Sequence, residues 1–356
     1  MKKILVVSNM FPTVKNPSFG VFVKRGCDQL EELGEYEILY CCLKKGRFKI
    51  LDYFSFFIRF FYSQFTAFPD AVYCHYVSHT GILGLISKVL FRAKLVVHCH
   101  GSDIFVPKTN NNLLNLLNVF VLNRANLIVV PSYFFKTVVL ELSSRIEQGN
   151  IFVSPSAGVL VPKRDFVNEL ITGKSLTMYS SGIHLGFISR LISSKGILIL
   201  LEALREIDFK CTLHIVGPGD YSLFNSFSSN NVDLVFYGEL KQSNLTNIYS
   251  EIDFLVFPTL LNESLGLCAI EAMAYGVPVI GSDIGAVSEY IVHGSSGFLF
   301  SAGDVNALTK LIKLAFYIDR ERYIELMQGA RSISEKYDEN RVRILMGERI
   351  KKVLHD

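Results

Sequence analysis

Two glutamates eight positions apart, Glu263 and Glu271, bound the stretch of this 356-residue chain whose residue types and spacing best suit chemistry. An apolar run, Phe254 to Phe257, reads as a buried strand stopped by Pro258. After a polar loop, small and apolar residues recur at helical spacing as far as Gly276, and Val277 to Ile280 reads as the next buried strand. Ser264, Leu265 and Gly266 fall in the expected first turn of that helix. Backbone N–H groups there lack helical partners and attract an anion, and Gly266 would let a ligand come close to the backbone. The plainer reading of an acidic residue near a helix start is that it complements the dipole. It is weak for Glu271, whose neighbours are Ala269, Ile270, Ala272, Met273 and Ala274. A carboxylate on so apolar a helix needs a partner, and a ligand diol would supply one through its two oxygens.

Arg190 and Lys195 lie between an expected strand, Leu185 to Ile188, and a helix with the apolar run Ile197 to Leu204. Either alone would read as a solvated surface charge. Together at a helix mouth they form a natural diphosphate clamp, Arg giving a planar fork and Lys a point charge. In the first half, His100 and Asp103 follow the strand Leu95 to Cys99, at the carboxyl end where open α/β sheets bind ligands. Asp103 has a second reading as the cap of the next turn. His98 shares a strand face with His100, but no carboxylate or further histidine stands at ligand spacing, so no metal site is expected.

ESLGLCAIE, followed by AMAYGVPVI and by Glu289 after GA, resembles the signature of retaining glycosyltransferases of family 4, with Glu263 and Glu271 as its E-x7-E pair. The R-L-x-x-x-K-G pattern at Arg190 to Gly196 and the His-Gly-x-Asp pattern at His100 to Asp103 are similar to two further motifs of that family. This sequence departs from the family where Ser189 and Ala286 replace common glycines. The resemblance implies a GT-B fold: two doubly wound, Rossmann-like α/β domains facing a cleft. It implies transfer of a sugar, of hexosyltransferase type, from a nucleoside-diphosphate sugar with retention of configuration. By the same resemblance Arg190 and Lys195 stabilise the departing diphosphate, Glu271 holds the ribose diol, and Glu263 and His100 position the donor sugar. Gly20, in the loop after the first strand, lies over the cleft, and Tyr237, Gly238 and Glu239 lie near the nucleobase. No paired acidic metal motif appears, so the expected chemistry needs no metal or other cofactor. Two alternatives are a sugar-nucleotide epimerase of the same fold and a non-catalytic sugar-nucleotide-binding subunit.

The elements that would hold these residues are legible along most of the chain. Short continuous apolar runs such as Ile4 to Val7 suit strands buried on both faces of parallel sheets. The expected domains are residues 1–170 for the acceptor, with a terminal helix at 338–356 returning to it, and 171–337 for the donor; Ser156 to Ser181 reads as the linker. Seven cysteines without a C-x-x-C pair suit reduced, buried thiols in a cytoplasmic protein. No uncharged run reaches the length of a transmembrane helix, and MKKILVVSNMF is too short in its apolar part for a signal peptide.

Residues 1–178 carry 20 Lys+Arg against 12 Asp+Glu, whereas 179–356 carry 16 against 21. Neither half is basic enough for nucleic acid. Within the basic half, residues 43–65 set Lys44, Lys45, Arg47, Lys49 and Arg59 among Phe54, Phe56, Phe57, Phe60, Phe61 and Phe65. Two readings stay open for this segment: a core helix with a basic outer face, or an interfacial helix at an anionic membrane, where a polyprenyl-linked acceptor rather than a soluble glycan would be met.

Overall fold

The computed structural model describes residues 1–13, 19–44, 48–101, 103–105, 112–177, 179–180 and 182–355, with the side chains of all but Lys49 and Asn112. Lys45, Arg47 and the Lys49 side chain, expected in the basic segment, lie outside the described residues. The chain forms two compact units, 1–158 with 339–356, and 159–338. The division falls at Gly158 and not at residue 170 as expected. The segment read as a linker contains a helix, 164–176, whose Val167 and Ile171 are buried in the core of the second unit.

In the first unit the strands are β1 (Lys2–Ser8), β2 (Tyr36–Cys42), β3 (Ala71–His75), β4 (Lys94–His98), β5 (Leu127–Val130) and β6 (Ile151–Val153). They make one parallel sheet in the order β2-β1-β3-β4-β5-β6. Every residue of β3 and β5 is buried, as both faces are covered by helices. The helices are α1 (Val21–Glu31), α2 (Lys49–Ala67), α3 (Val77–Phe91), α4 (Asn112–Leu122) and α5 (Tyr133–Glu141). The second unit contains α6 (Arg164–Leu176), α7 (Ile197–Arg205), α8 (Leu245–Glu251), α9 (Leu267–Ala274), α10 (Val305–Tyr317) and α11 (Arg320–Ser334). Its strands β7 (Ile183–Ile188), β8 (Cys211–Val216), β9 (Val232–Gly238), β10 (Phe254–Phe257), β11 (Val279–Ser282) and β12 (Gly297–Phe300) form a second parallel sheet, β12-β11-β10-β7-β8-β9. The last helix, α12 (Glu339–His355), belongs to the first unit. There Tyr36 donates to the Gly347 carbonyl at 2.9 Å, and Arg25 pairs with Glu339.

Strand order reverses direction between β1 and β3 in one sheet and between β7 and β10 in the other. Such switch points open a crevice past the strand carboxyl ends, because the connections leave to opposite faces.

Helix α2 divides the aromatic segment between core and surface. Phe56 and Phe60 are 1% and 0% exposed and enter the core, while Phe54, Ile58 and Phe65 are 63%, 55% and 63% exposed. The inward stripe takes one residue per turn, so most of the apolar surface points outward. Arg59 is not part of a free basic face, since its guanidinium donates to the Cys42 carbonyl at 3.0 Å. Exposed apolar side chains continue on α3 with Ile82, Val89 and Leu90, and on α4 with Leu113, Leu116 and Phe120. Among the described residues no helix is long and apolar enough to cross a membrane.

Candidate functional site

At the β7/β10 switch point, the loop after β7 carries Arg190 and then a short turn, Ser193–Lys195, before α7. Gly196 follows at φ +79°, and a Cβ there would stand 1.7 Å from the Pro258 carbonyl oxygen. Only glycine permits this approach of the two loops. A backbone bond from Leu260 N–H to the Ser194 carbonyl, 3.0 Å, holds them together.

That packing brings Lys195 to Glu263. The ammonium lies 2.5 Å from Glu263 Oε1, and Thr259 Oγ1 donates to the same oxygen at 2.8 Å. The two charged side chains are only 13% and 14% exposed, so their attraction is little screened. The other Glu263 oxygen, Oε2, has no hydrogen-bond partner among the described residues. The backbone around Glu263 is tied to the next loop, where Ala286 N–H donates to its carbonyl at 3.1 Å. Arg190 is placed differently from Lys195: it is exposed and forms no ion pair among the described residues.

Ser264, Leu265 and Gly266 precede α9 and do not form its first turn. Gly266 is the cap residue, at φ +89°, a left-handed conformation that starts the helix one turn later than the sequence spacing predicts. Leu265 is buried in the core at 3% exposure, so its side chain faces no ligand. Ser264 is half-buried beside it. Glu271 on α9 has the partners its apolar surroundings demand: Gln242 donates to Oε1 at 2.7 Å and the buried Tyr249 hydroxyl to Oε2 at 3.2 Å. These bonds orient the carboxylate. At the end of β9, Tyr237 contacts His214 Nδ1 through its hydroxyl at 2.9 Å, Gly238 accepts from Gly217 N–H at 2.8 Å, and Glu239 is exposed. Glu289 is exposed in the turn Val287–Glu289.

In the first unit, Gly20 caps α1. Asp103 is buried, and its carboxylate accepts from the N–H groups of His100 and Gly101, both at 3.0 Å, and of Val77 at 3.1 Å. It therefore holds the His100 loop against the start of α3, bonding to residues before it where the capping reading placed it on the turn that follows, and offers no open oxygen like that of Glu263. His75 closes the cluster. Its Nδ1 lies 3.0 Å from His100 Nε2, and Tyr73 OH lies 2.8 Å from His98 Nδ1. Burial pushes His98 down to about 3 and holds His75 and His100 well below the usual imidazole range, so all three are neutral near pH 7.

The third histidine that the sequence reading did not find thus comes from the neighbouring strand, and the ligand atoms of all three lie within 4.8 Å of one another. Their orientation is that of a hydrogen-bonded stack. The planes of His75 and His100 meet at 11°, with their nitrogens aimed at each other, and His98 lies over His100 at 24° with centroids 4.3 Å apart. Near-parallel rings do not converge their in-plane lone pairs on one ion.

Residues 182–315 match the family model described as glycosyl transferases group 1, and residues 32–132 match that described as glycosyl transferase 4-like. The chain is a glycosyltransferase of the GT-B fold. The N-acetyl-alpha-D-glucosaminyl L-malate synthase of Bacillus anthracis is 25% identical to this glycosyltransferase over 76% of the chain and 71% of that protein. A lipopolysaccharide 1,2-N-acetylglucosaminetransferase of Salmonella typhimurium is 24% identical over 68% and 62%. In fold, the chain superposes on Anabaena Alr3699/HepE, solved in complex with UDP, with a TM-score of 0.77 at 19% identity over 99% and 100% of the two chains.

Sequence reasoning passed over Thr259, Gln242, Tyr249 and His75. A polar residue at the end of a buried strand was the available signal for His75, and one just past a strand for Thr259; Gln242 and Tyr249 meet Glu271 only through folding.

The pairing predicts coupled stability. Lys195→Ala leaves the mostly buried Glu263 carboxylate without its cation and costs roughly 1–3 kcal/mol. Adding Glu263→Gln restores most of the loss in urea unfolding; simple addition of the two single losses would show that the pair is not coupled.

Proposed function

We propose that this glycosyltransferase moves a sugar, with retention, from a nucleoside-diphosphate sugar to a glycan or polyprenyl-linked acceptor in the making of a bacterial surface polysaccharide. The Lys195–Glu263 pair at the switch point carries this reading. A diphosphate arriving there competes with Glu263 for the ammonium and meets the exposed Arg190 guanidinium, so leaving-group charge develops against two cations. Glu263, held by Thr259, then turns its open oxygen to the donor sugar. Glu271, oriented by Gln242 and Tyr249, takes the ribose diol. For His100, the family resemblance supports the role of positioning a donor sugar. The UDP complex of Alr3699/HepE supports a nucleotide donor, and the Salmonella relative, named for lipopolysaccharide, supports a lipid-borne glycan acceptor.

The two cations replace the divalent ion that other diphosphate chemistry uses. Incubating the protein with nucleotide sugars in excess EDTA is expected to release nucleoside diphosphate from one donor. Arg190→Ala and Lys195→Ala each lower that turnover by about 2–4 kcal/mol in barrier. Activity lost in EDTA and restored by Mg2+ or Mn2+ contradicts the metal-free clamp. No release from any donor leaves the binding-subunit alternative.

Attachment to the inner face of the membrane rests on α2. Exposed Ile50, Phe54, Phe57, Ile58 and Phe65 form an apolar face; Lys44, five residues before α2, and Arg92, just after α3, are exposed cations. Each cation near an anionic surface contributes about 1 kcal/mol, and the apolar face adds burial in the headgroup layer. The protein is expected to sediment with anionic vesicles at low salt and less at high salt. Replacing Ile50, Phe54 and Ile58 by Ser abolishes sedimentation while donor cleavage persists. A wild type that ignores anionic vesicles removes the membrane part of the proposal.

A further inference from the structure

The contact between His75 and His100 has a direction. His75 and His98 are buried, and the Nε2 of each has no hydrogen-bond partner among the described residues. Each neutral ring carries one N–H. An unpaired buried donor is rarer and costlier than an unpaired acceptor. The proton of His75 therefore belongs on Nδ1, where it is donated to His100 Nε2 across 3.0 Å. A small cavity beside them, lined in part by Tyr73, His75, His98 and Arg343, favours the same choice. Arg343, whose Nε has no hydrogen-bond partner among the described residues, puts a cation on that lining, and a positive charge favours bare nitrogens over N–H groups.

An accepting Nε2 leaves His100 protonated on Nδ1, which has no hydrogen-bond partner among the described residues. The ring is held in place by His98 on one side, with centroids 4.3 Å apart, and by Tyr76 and Phe22, at 4.6 and 4.9 Å. His75 lies at the end of β3 and acts on the proposed substrate only through His100.

We propose that His75 is a positioning residue that locks His100 as its Nδ1–H tautomer, so that His100 meets the donor sugar as a hydrogen-bond donor and not as a base. The tautomer stands on the geometry of the first unit alone; its use on the sugar rests on the proposed function. Substitution at His75 separates the two. Asn places an amide N–H near the position of Nδ1, whereas Leu fills the space without a donor.

Long-range nitrogen–proton spectra of histidine-labelled protein read the tautomer directly. His100 is expected as Nδ1–H in the wild type and in His75→Asn, and shifted toward Nε2–H in His75→Leu. With the donor identified, His75→Leu lowers kcat at least about tenfold with donor KM changed less than about twofold, as a wrong tautomer does in other histidine-dependent enzymes. His75→Asn restores most of the rate. An Nε2–H signal in the wild type overturns the assignment, as does an unchanged signal in His75→Leu. A switched tautomer with unchanged turnover keeps the assignment and overturns the role of His100 on the sugar. Should His75→Leu fail to fold, the wild-type spectrum and the Asn variant still decide.

Discussion

Both sheets are parallel and buried on both faces, and that constraint governs where chemistry can sit. Strands such as β3, β5, β10 and β11 have no exposed residue along their length. A polar side chain inside such a strand would lose water without gaining partners. Polar groups therefore gather past the carboxyl ends, and there the switch points between β1 and β3 and between β7 and β10 open space. His75 ends β3, while Lys195 and Glu263 follow β7 and β10. The helices contribute their starts, but mainly they cover the sheet.

Within the second unit, the close approach at Gly196 and Pro258 turns two separate loops into one platform. Lys195 and Glu263 neutralise each other across it at a depth where solvent screens the pair little. The pair holds the site's shape without ligand and also leaves each partner something to offer: the ammonium to an anion that outcompetes the carboxylate, and the free carboxylate oxygen to a hydroxyl. In the first unit a comparable economy appears with neutral groups. Asp103 spends its carboxylate on backbone N–H groups to seat the loop, which frees the His100 ring to be oriented by His75.

Much of the fold was legible because buried parallel strands read as short continuous apolar runs, and Ile4 to Val7 or Phe254 to Phe257 need no context. Helix α6 was missed since its buried face is only Val167, Ile171 and Ser175 in an otherwise polar segment. The residue types at Arg190, Lys195, Glu263, Glu271 and His100 marked the candidate site, but their pairings did not follow. Lys195 and Glu263 are 68 positions apart, and nothing in either segment names the other. His75 and His98 sit opposite one another in neighbouring strands, a register that only pairing reveals. In α2, phenylalanines only one or two positions apart, such as Phe54 and Phe56, differ completely in exposure, because the sequence shows how many apolar residues there are and not how much surface the sheet has left to cover.

The central claim is that the two glutamates divide the donor between them, Glu271 taking the nucleotide and Glu263 the sugar while balancing Lys195. Calorimetric titration with the bare nucleoside diphosphate of the identified donor tests it most directly. Glu271→Gln is expected to weaken binding about tenfold, the scale of one charge-assisted hydrogen bond. Glu263→Gln is expected to leave binding unchanged or tighten it, since the competitor for Lys195 is gone. Equal losses in the two variants, or a loss only in Glu263→Gln, would contradict the account.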